Sequence, residues 1–263
     1  MAQPIFRQAS LSDYFVEVAR GNVSGVSTIH KFGRNSAVGT SFTPISVGGI
    51  YRTPQVAAAT ALRVKAGNAN DTAAGTGARE ITVQGLDETG ALVTEALATA
   101  GGSASANTSA TFIRLFRAWV SASGTYATSA AGSHAAAIVI EKAAGSEDWL
   151  TIDVTNFPKS QSEVGIYSVP LGSQAFISTI HISVDSSKSV DLLFFQRQGI
   201  LDAAAPYEAM RMVMRFSGVS GEERFQPSSP LGPYPACTDI GFMAKGASTP
   251  AVDVDFEILL FPT

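Results

Sequence analysis

Cysteine is nearly missing from this chain of 263 residues. Cys237 stands alone, so no internal disulfide can close and no multi-thiolate zinc site can assemble. Charge is scarce too: Asp, Glu, Lys and Arg make up 15% of the residues, against roughly 25% in ordinary soluble proteins. The cations are outnumbered, 18 to 22, for a net charge of -4. A chain without a basic excess cannot neutralise a run of phosphates, so nucleic acid is not expected as a main ligand. No apolar run approaches the roughly 20 residues that cross a bilayer, and no membrane partner is expected. The opening MAQPIFRQASLSDYF has neither a cationic start before an apolar stretch nor an Arg-rich amphipathic pattern, which leads to the expectation of a soluble chain made in the cytosol.

What is plentiful is Ala, Gly, Ser and Thr, a surface of small neutral side chains suited to packing against protein. The recurring pattern is two-residue alternation in short runs bounded by Gly, Pro, Asn and Ser, which predicts an all-β fold of β-sandwich or jelly-roll-like modules. Ile81 to Leu86 and Ala91 to Leu97 flank the turn Asp87-Glu88-Thr89-Gly90 and predict a hairpin, with Ile81 and Val83 inward and Thr82 and Gln84 outward. In Phe176 to Val184, the residues Ile180, Ile182 and Val184 share one face, and Thr179, His181 and Ser183 share the other. In Val252 to Ile258 three acids, Asp253, Asp255 and Glu257, line the solvent side of an apolar stripe. Further strands are predicted at 111–120, 135–141, 149–154, 164–169, 189–197, 211–216 and 238–245. One helical turn is expected near Ala203 to Met210.

The chain divides unevenly. Residues 1–50 are punctuated by Gly and Ser and only weakly periodic, which predicts an extended N-terminal arm with leader strands, loosely attached. Residues 51–145 form a first β module containing a small-residue loop, Ala98 to Ala110. Residues 146–263 form a second, sandwich module, with the Pro-rich excursion Gln226 to Pro235 running extended on the surface.

Each candidate for chemistry has a plainer reading. His30 lies in the arm, His134 in a loop and His181 on a polar strand face; no local motif supports a triad, and no Gly-x-Ser-x-Gly elbow occurs. Asp253, Asp255 and Glu257 read as a charged, aggregation-resisting face rather than a metal cage. Gly75-Thr76-Gly77 in DTAAGTGAR lacks the Lys-Ser/Thr of a phosphate loop and reads as a glycine turn entering a strand. Phe112, Phe116 and Trp119, with Arg114 and Arg117 beside them, read as half-buried packing rather than a stacking platform. No catalytic, cofactor-binding or metal-ligating residue is therefore assigned, no cofactor is expected, and the protein is not expected to be an enzyme.

The run from Gly48 to Gly101, with its DTAAGTGAR segment leading into GLD, resembles a family of tailed-bacteriophage virion structural proteins. FVEVARGNVSGVSTIHKFGRN at 15–35 and FIRLFRAWVSASG at 112–124 are similar to the segments before and after it. YSVPLGSQAFI at 167–177 and PLGPYPACTDIGFMAKG at 230–246 extend the resemblance over most of the chain. The resemblance implies a particle component located in the virion and assembled in the host cytoplasm. It is expected to be a capsid decoration or cement protein, a homotrimer whose partner is the lattice of major capsid protein. A tail or neck component is the alternative, as is a surface protein recognising a host glycan through Trp119, Trp149 or Tyr234.

Overall fold

The computed structural model describes residues 11–53, 59–124, 133–145, 147–154, 160–202 and 204–263. A short helix α1 (Leu11–Ala19) precedes β1 (Ser27–Asn35) and β2 (Thr43–Pro44). Then come β3 (Leu62–Ala66), β4 (Ala78–Leu86), β5 (Leu92–Ala98), β6 (Arg114–Ser123), β7 (Ile138–Lys142) and β8 (Asp148–Ile152). The chain closes with β9 (Ile166–Ser168), β10 (Ser173–Val184), β11 (Val190–Arg197), β12 (Arg211–Val219), β13 (Gly221–Phe225), β14 (Leu231–Tyr234), β15 (Asp239–Gly246) and β16 (Val252–Pro262). The expected all-β fold is what the chain adopts.

Alternation places the core. On β10 and β16 the residues Ile180, Ile182, Val252, Val254, Phe256 and Ile258 are all buried, and each such side chain contributes roughly 1.5–3 kcal/mol relative to exposure. The polar faces of both strands lie on the outer surface, as their two-residue period requires. Strand order is β1-β16-β10-β13 in one layer and β2-β15-β11-β12 in the other. Each strand of the first layer continues, through a corner, into the strand at the same position of the second: the sandwich is one antiparallel four-ribbon sheet folded double. The corners are tied to each other, with the Ala251 N–H donating to Asp185 Oδ2 at 3.1 Å and the Gly218 N–H to Asp191 Oδ1 at 3.1 Å. Between the layers Phe194 packs on Phe242 with ring centroids 4.9 Å apart.

Strands β3 to β8 form a second body, as sheets β3-β7-β8 and β5-β4-β6 around a core that includes Leu62, Val64, Ile81, Val83, Phe112 and Ile140. Ile81 and Val83 are inward as expected; Thr82 is buried as well. Val164, Ile166 and Phe195 of the sandwich are buried in this core, so the two bodies share apolar packing. The body is an insertion: β2 and β9 lie end to end along one edge of β15, pairing with Met243–Ala244 and Asp239–Gly241, and a Ser46–Val164 bridge joins its two ends.

Strand pairing therefore cuts the chain elsewhere than at 50 and 145. The part of the expected arm at 27–35 is a full sheet strand with nine residue pairs to β16. Its buried positions are Lys31, Gly33 and Asn35, none of them an apolar side chain, which is why it reads as weakly periodic. Gly33 is required there, because a Cβ would collide with the Gly165 backbone. Strand β8, assigned to the second module, pairs with β7 of the first. The expected helical turn near Ala203 to Met210 is absent from 204–210, where Pro206 removes a main-chain donor and disfavours a helical residue before it. Helix α1 is instead found within the expected arm. The small-residue segment 98–110 is a loop, as expected, but a bonded one: the Ser105 and Thr108 N–H groups donate to the Val64 and Leu62 carbonyls at 2.8 and 2.7 Å. In the Pro-rich excursion, β14 pairs with β10 and Tyr234 is buried.

Candidate functional site

The adjacent strands β1, β16, β10 and β13 turn their polar sides outward, and a cleft of about 680 Å³ opens across them. It is lined by His30, Thr179, His181, Glu222, Arg224, Asp255 and Glu257. The register makes this inevitable: His30 stands opposite Glu257, and His181 opposite both Asp255 and Arg224. His30 Nδ1 lies 2.7 Å from Glu257 Oε1, and because a carboxylate only accepts, Nδ1 carries the hydrogen. Asp255 sits between the imidazoles, 3.5 Å from His30 Nε2 and 3.5 Å from His181 Nδ1. The third acid, Asp253, takes both carboxylate oxygens to Arg34 Nη1 at 2.9 and 2.7 Å, outside the cleft. The structure thus brings together two of the three histidines and two of the three acids singled out in the sequence.

Chemically, the cleft offers carboxylates, imidazoles, a guanidinium and a hydroxyl for hydrogen bonding. An imidazole oriented by a carboxylate has half the geometry of a nucleophile-activating pair, but the lining hydroxyl, Thr179, sits on a central strand and no bond to either histidine holds it there. Among the described residues no cluster of His, Cys, Asp and Glu could hold a metal ion.

A second concentration of polar groups is buried where the inserted body meets the sandwich. Arg114 of β6 and Asp239 of β15 form an ion pair with almost no solvent exposure, Arg114 Nε donating at 2.9 and 3.2 Å. Asp239 Oδ1 also accepts from Ser168 Oγ at 2.6 Å and from the Tyr51 hydroxyl at 3.2 Å. Burial, and then the charge of Asp239, hold the Tyr51 phenol well above its usual range, so it stays a neutral donor. Close by, Lys31 Nζ donates to the Phe116 carbonyl at 2.6 Å beneath the Phe116 ring. Burial, with Arg117 adding repulsion, pulls its pKa well below that of a free lysine.

The remaining candidates are structural in place. Asp71, at the head of DTAAGTGAR, is fully buried and accepts N–H bonds from Ala78, Ala135 and Ala136 at 2.8–3.2 Å. A Cβ on Gly77 would collide with its Oδ1, so the glycine makes room for the carboxylate. His134 is buried beside this clasp, its Nε2–H donating to the Asp153 carbonyl at 3.1 Å, and desolvation lowers its pKa. Phe112 and Phe116 are core residues. Of the aromatics considered for sugar stacking, Trp149 and Tyr234 are buried and only Trp119 is half-exposed. Cys237 is half-buried, and burial followed by Asp239 pushes its thiol up, the opposite of what activates a thiolate.

No family model matches the chain. No curated protein matches it either. Two solved structures are similar to it: one of an infectious bursal disease virus Gt strain and one of an infectious bursal disease virus VP2 subviral particle. The likeness covers 90% and 91% of this chain and 75% and 77% of theirs, at 8% and 10% identity and TM-scores of 0.19 and 0.20. At such scores it carries no argument about topology or function, which rest on this chain's own residues.

Sequence reasoning missed Asp239, Tyr51, Ser168, Lys31, Glu222 and Arg224. No local signal marks them: Arg114 and Asp239 are 125 positions apart, and His30 and Glu257 are 227 apart.

Proposed function

We propose that the chain is a virion structural protein that binds the outer face of a capsid lattice and stabilises it as a decoration or cement protein, by adhesion rather than catalysis. The observation that supports this best is the junction of the two bodies. Its deeply buried Arg114–Asp239 pair, joined by Tyr51 and Ser168, bonds protein to protein and holds a shape. The segment that carries the resemblance agrees: Asp71 and Gly77 of DTAAGTGAR close a main-chain clasp. A firm, sparsely charged body suits attachment by packing, at about 25 cal/mol per Å² of apolar surface removed from water. Because it would bind the assembled shell and not free subunits, each bound copy shifts the balance towards the shell.

Particles prepared with and without the protein test this. Loss of heat or osmotic resistance, together with difference density on the capsid surface, supports the reading. Unchanged resistance with density at the tail or neck replaces it with a tail or neck component.

A second reading, recognition of a host glycan, is favoured by the outer-face cleft, whose volume of about 680 Å³ lies within the range of small-ligand sites. A glycan-array signal abolished by His30→Ala and Glu257→Gln supports it; a blank array rejects it.

A further inference from the structure

The free edges of this molecule are not alike. Strand β12 is broken by two register shifts and carries Arg211 and Arg215. Strand β13 carries Glu222, Glu223 and Arg224, and β3 is covered by the bonded loop at 105–108. These are the bulges, charges and covers by which sheets protect their edges. Strand β5 has no bulge and a single charge, Glu95. It ends the sheet β5-β4-β6, and its seven pairs to β4 run without a shift.

The main-chain bonds at its two ends show which groups are unused. The Asp87 N–H donates to the Ala91 carbonyl at 3.0 Å, and the Thr99 N–H donates to the Arg79 carbonyl at 3.0 Å. In an antiparallel ladder the bonded pairs alternate, so Val93, Glu95 and Leu97 direct their main chain to β4, while Leu92, Thr94, Ala96 and Ala98 direct theirs away. The same four residues have exposed side chains. Two of the most exposed large apolar residues also gather at one end of this strand. Leu92 is 50% exposed, and Leu171, 58% exposed, donates its N–H to the Gly90 carbonyl at 2.8 Å.

We infer that the β5 edge is a self-association surface, occupied by β5 of a second copy in antiparallel register. A twofold axis at Thr94 sets Leu92 across from Ala96 of the mate, Thr94 across from Thr94, and Val93 across from Glu95. That register gives three bonded residue pairs, or roughly six main-chain hydrogen bonds. No like charges meet. The row is neutral except for Glu95, whose carboxylate already accepts from the Ser109 N–H at 2.7 Å, Ser109 Oγ at 2.9 Å and the Ala110 N–H at 2.9 Å. An edge so nearly neutral pairs with its own twofold mate at no electrostatic cost, and a Thr–Thr cross-strand pair adds to it. The symmetry is twofold, in place of the threefold assembly that the resemblance implies, and it is a property of the isolated chain, independent of whether the protein binds a capsid.

Sedimentation equilibrium on the full chain, over a wide concentration range, tests this together with Ala96→Lys and Ala96→Pro. Lysine places a charge on the edge, and proline deletes an N–H that no intramolecular bond uses. The expected result is a wild-type dimer whose melting temperature rises with protein concentration, and folded monomeric variants whose melting temperatures do not. The amides of Thr94 and Ala96 should exchange slowly in the wild type and rapidly in Ala96→Lys. If Ala96→Pro fails to fold, Ala96→Lys decides alone, since its side chain points to solvent. A wild-type chain that stays monomeric, or a dimer that survives Ala96→Lys, overturns the inference.

Discussion

Replacing Asp239 by alanine removes the one acceptor that Arg114 Nε, Ser168 Oγ and the Tyr51 hydroxyl share, at 2.9, 2.6 and 3.2 Å. Arg114 has no solvent exposure, so its charge cannot be rehydrated without opening the junction. Breaking a buried pair by removing one partner costs about 3–5 kcal/mol. For a chain of this size each kcal/mol lowers the melting temperature by about 2–4 °C, so Asp239→Ala should lose about 6–20 °C. The double variant Arg114→Met/Asp239→Leu removes both charges, and Tyr51 and Ser168 remain bonded to each other at 2.7 Å. It should therefore recover most of that loss, to within about 1 kcal/mol of the wild type. Calorimetry or urea unfolding of the wild type, Arg114→Met, Asp239→Leu and the double variant closes the cycle, with Asp239→Ala measured beside it. A single-variant loss under about 1 kcal/mol, or single losses that simply add in the double, would refute the argument that the pair is a coupled buried unit.

Gly77→Ala should be costly despite its small size, because the new methyl group collides with Asp71 Oδ1 and opens the clasp on Ala78, Ala135 and Ala136. The loss of charge-assisted bonds puts the expected destabilisation at about 2–3 kcal/mol in urea unfolding, and a value near zero would contradict the clasp. His134 titrates below its ordinary 6.5 because it is desolvated. Between the folded pKa and 6.5 the unfolded chain binds more protons, so stability falls as pH drops through that window and His134→Gln should flatten the decline. Unfolding midpoints measured across mildly acidic pH check this, and identical slopes in the two proteins would exclude it.

The strands that were legible bury what their period implies. β10 and β16 alternate apolar and polar residues over most of their lengths, and their inward residues are the core. β1 was not legible, because it buries Lys31, Gly33 and Asn35, whose places depend on the Phe116 carbonyl, the Gly165 backbone and the Pro44 carbonyl far along the chain or across a turn. The cleft follows the same rule. Each of its histidines and acids could be noticed singly, but the register that sets His30 against Glu257 and Asp255 between two imidazoles exists only once the sheet has formed. Asp71 was illegible for a different reason: three main-chain N–H groups are its partners, and main chain has no identity in a sequence.

Both attachment points of the inserted body lie on the same edge of β15, at Met243–Ala244 and at Asp239–Gly241. The segment between them can therefore be exchanged for another of any length whose ends meet, without cutting a ribbon of the folded sheet. Such an exchange has one constraint. Removing the body also removes Arg114 and Tyr51 and uncovers Asp239 together with Val164, Ile166 and Phe195, so a regrafted segment must bring an apolar cover for these three and a new partner for Asp239.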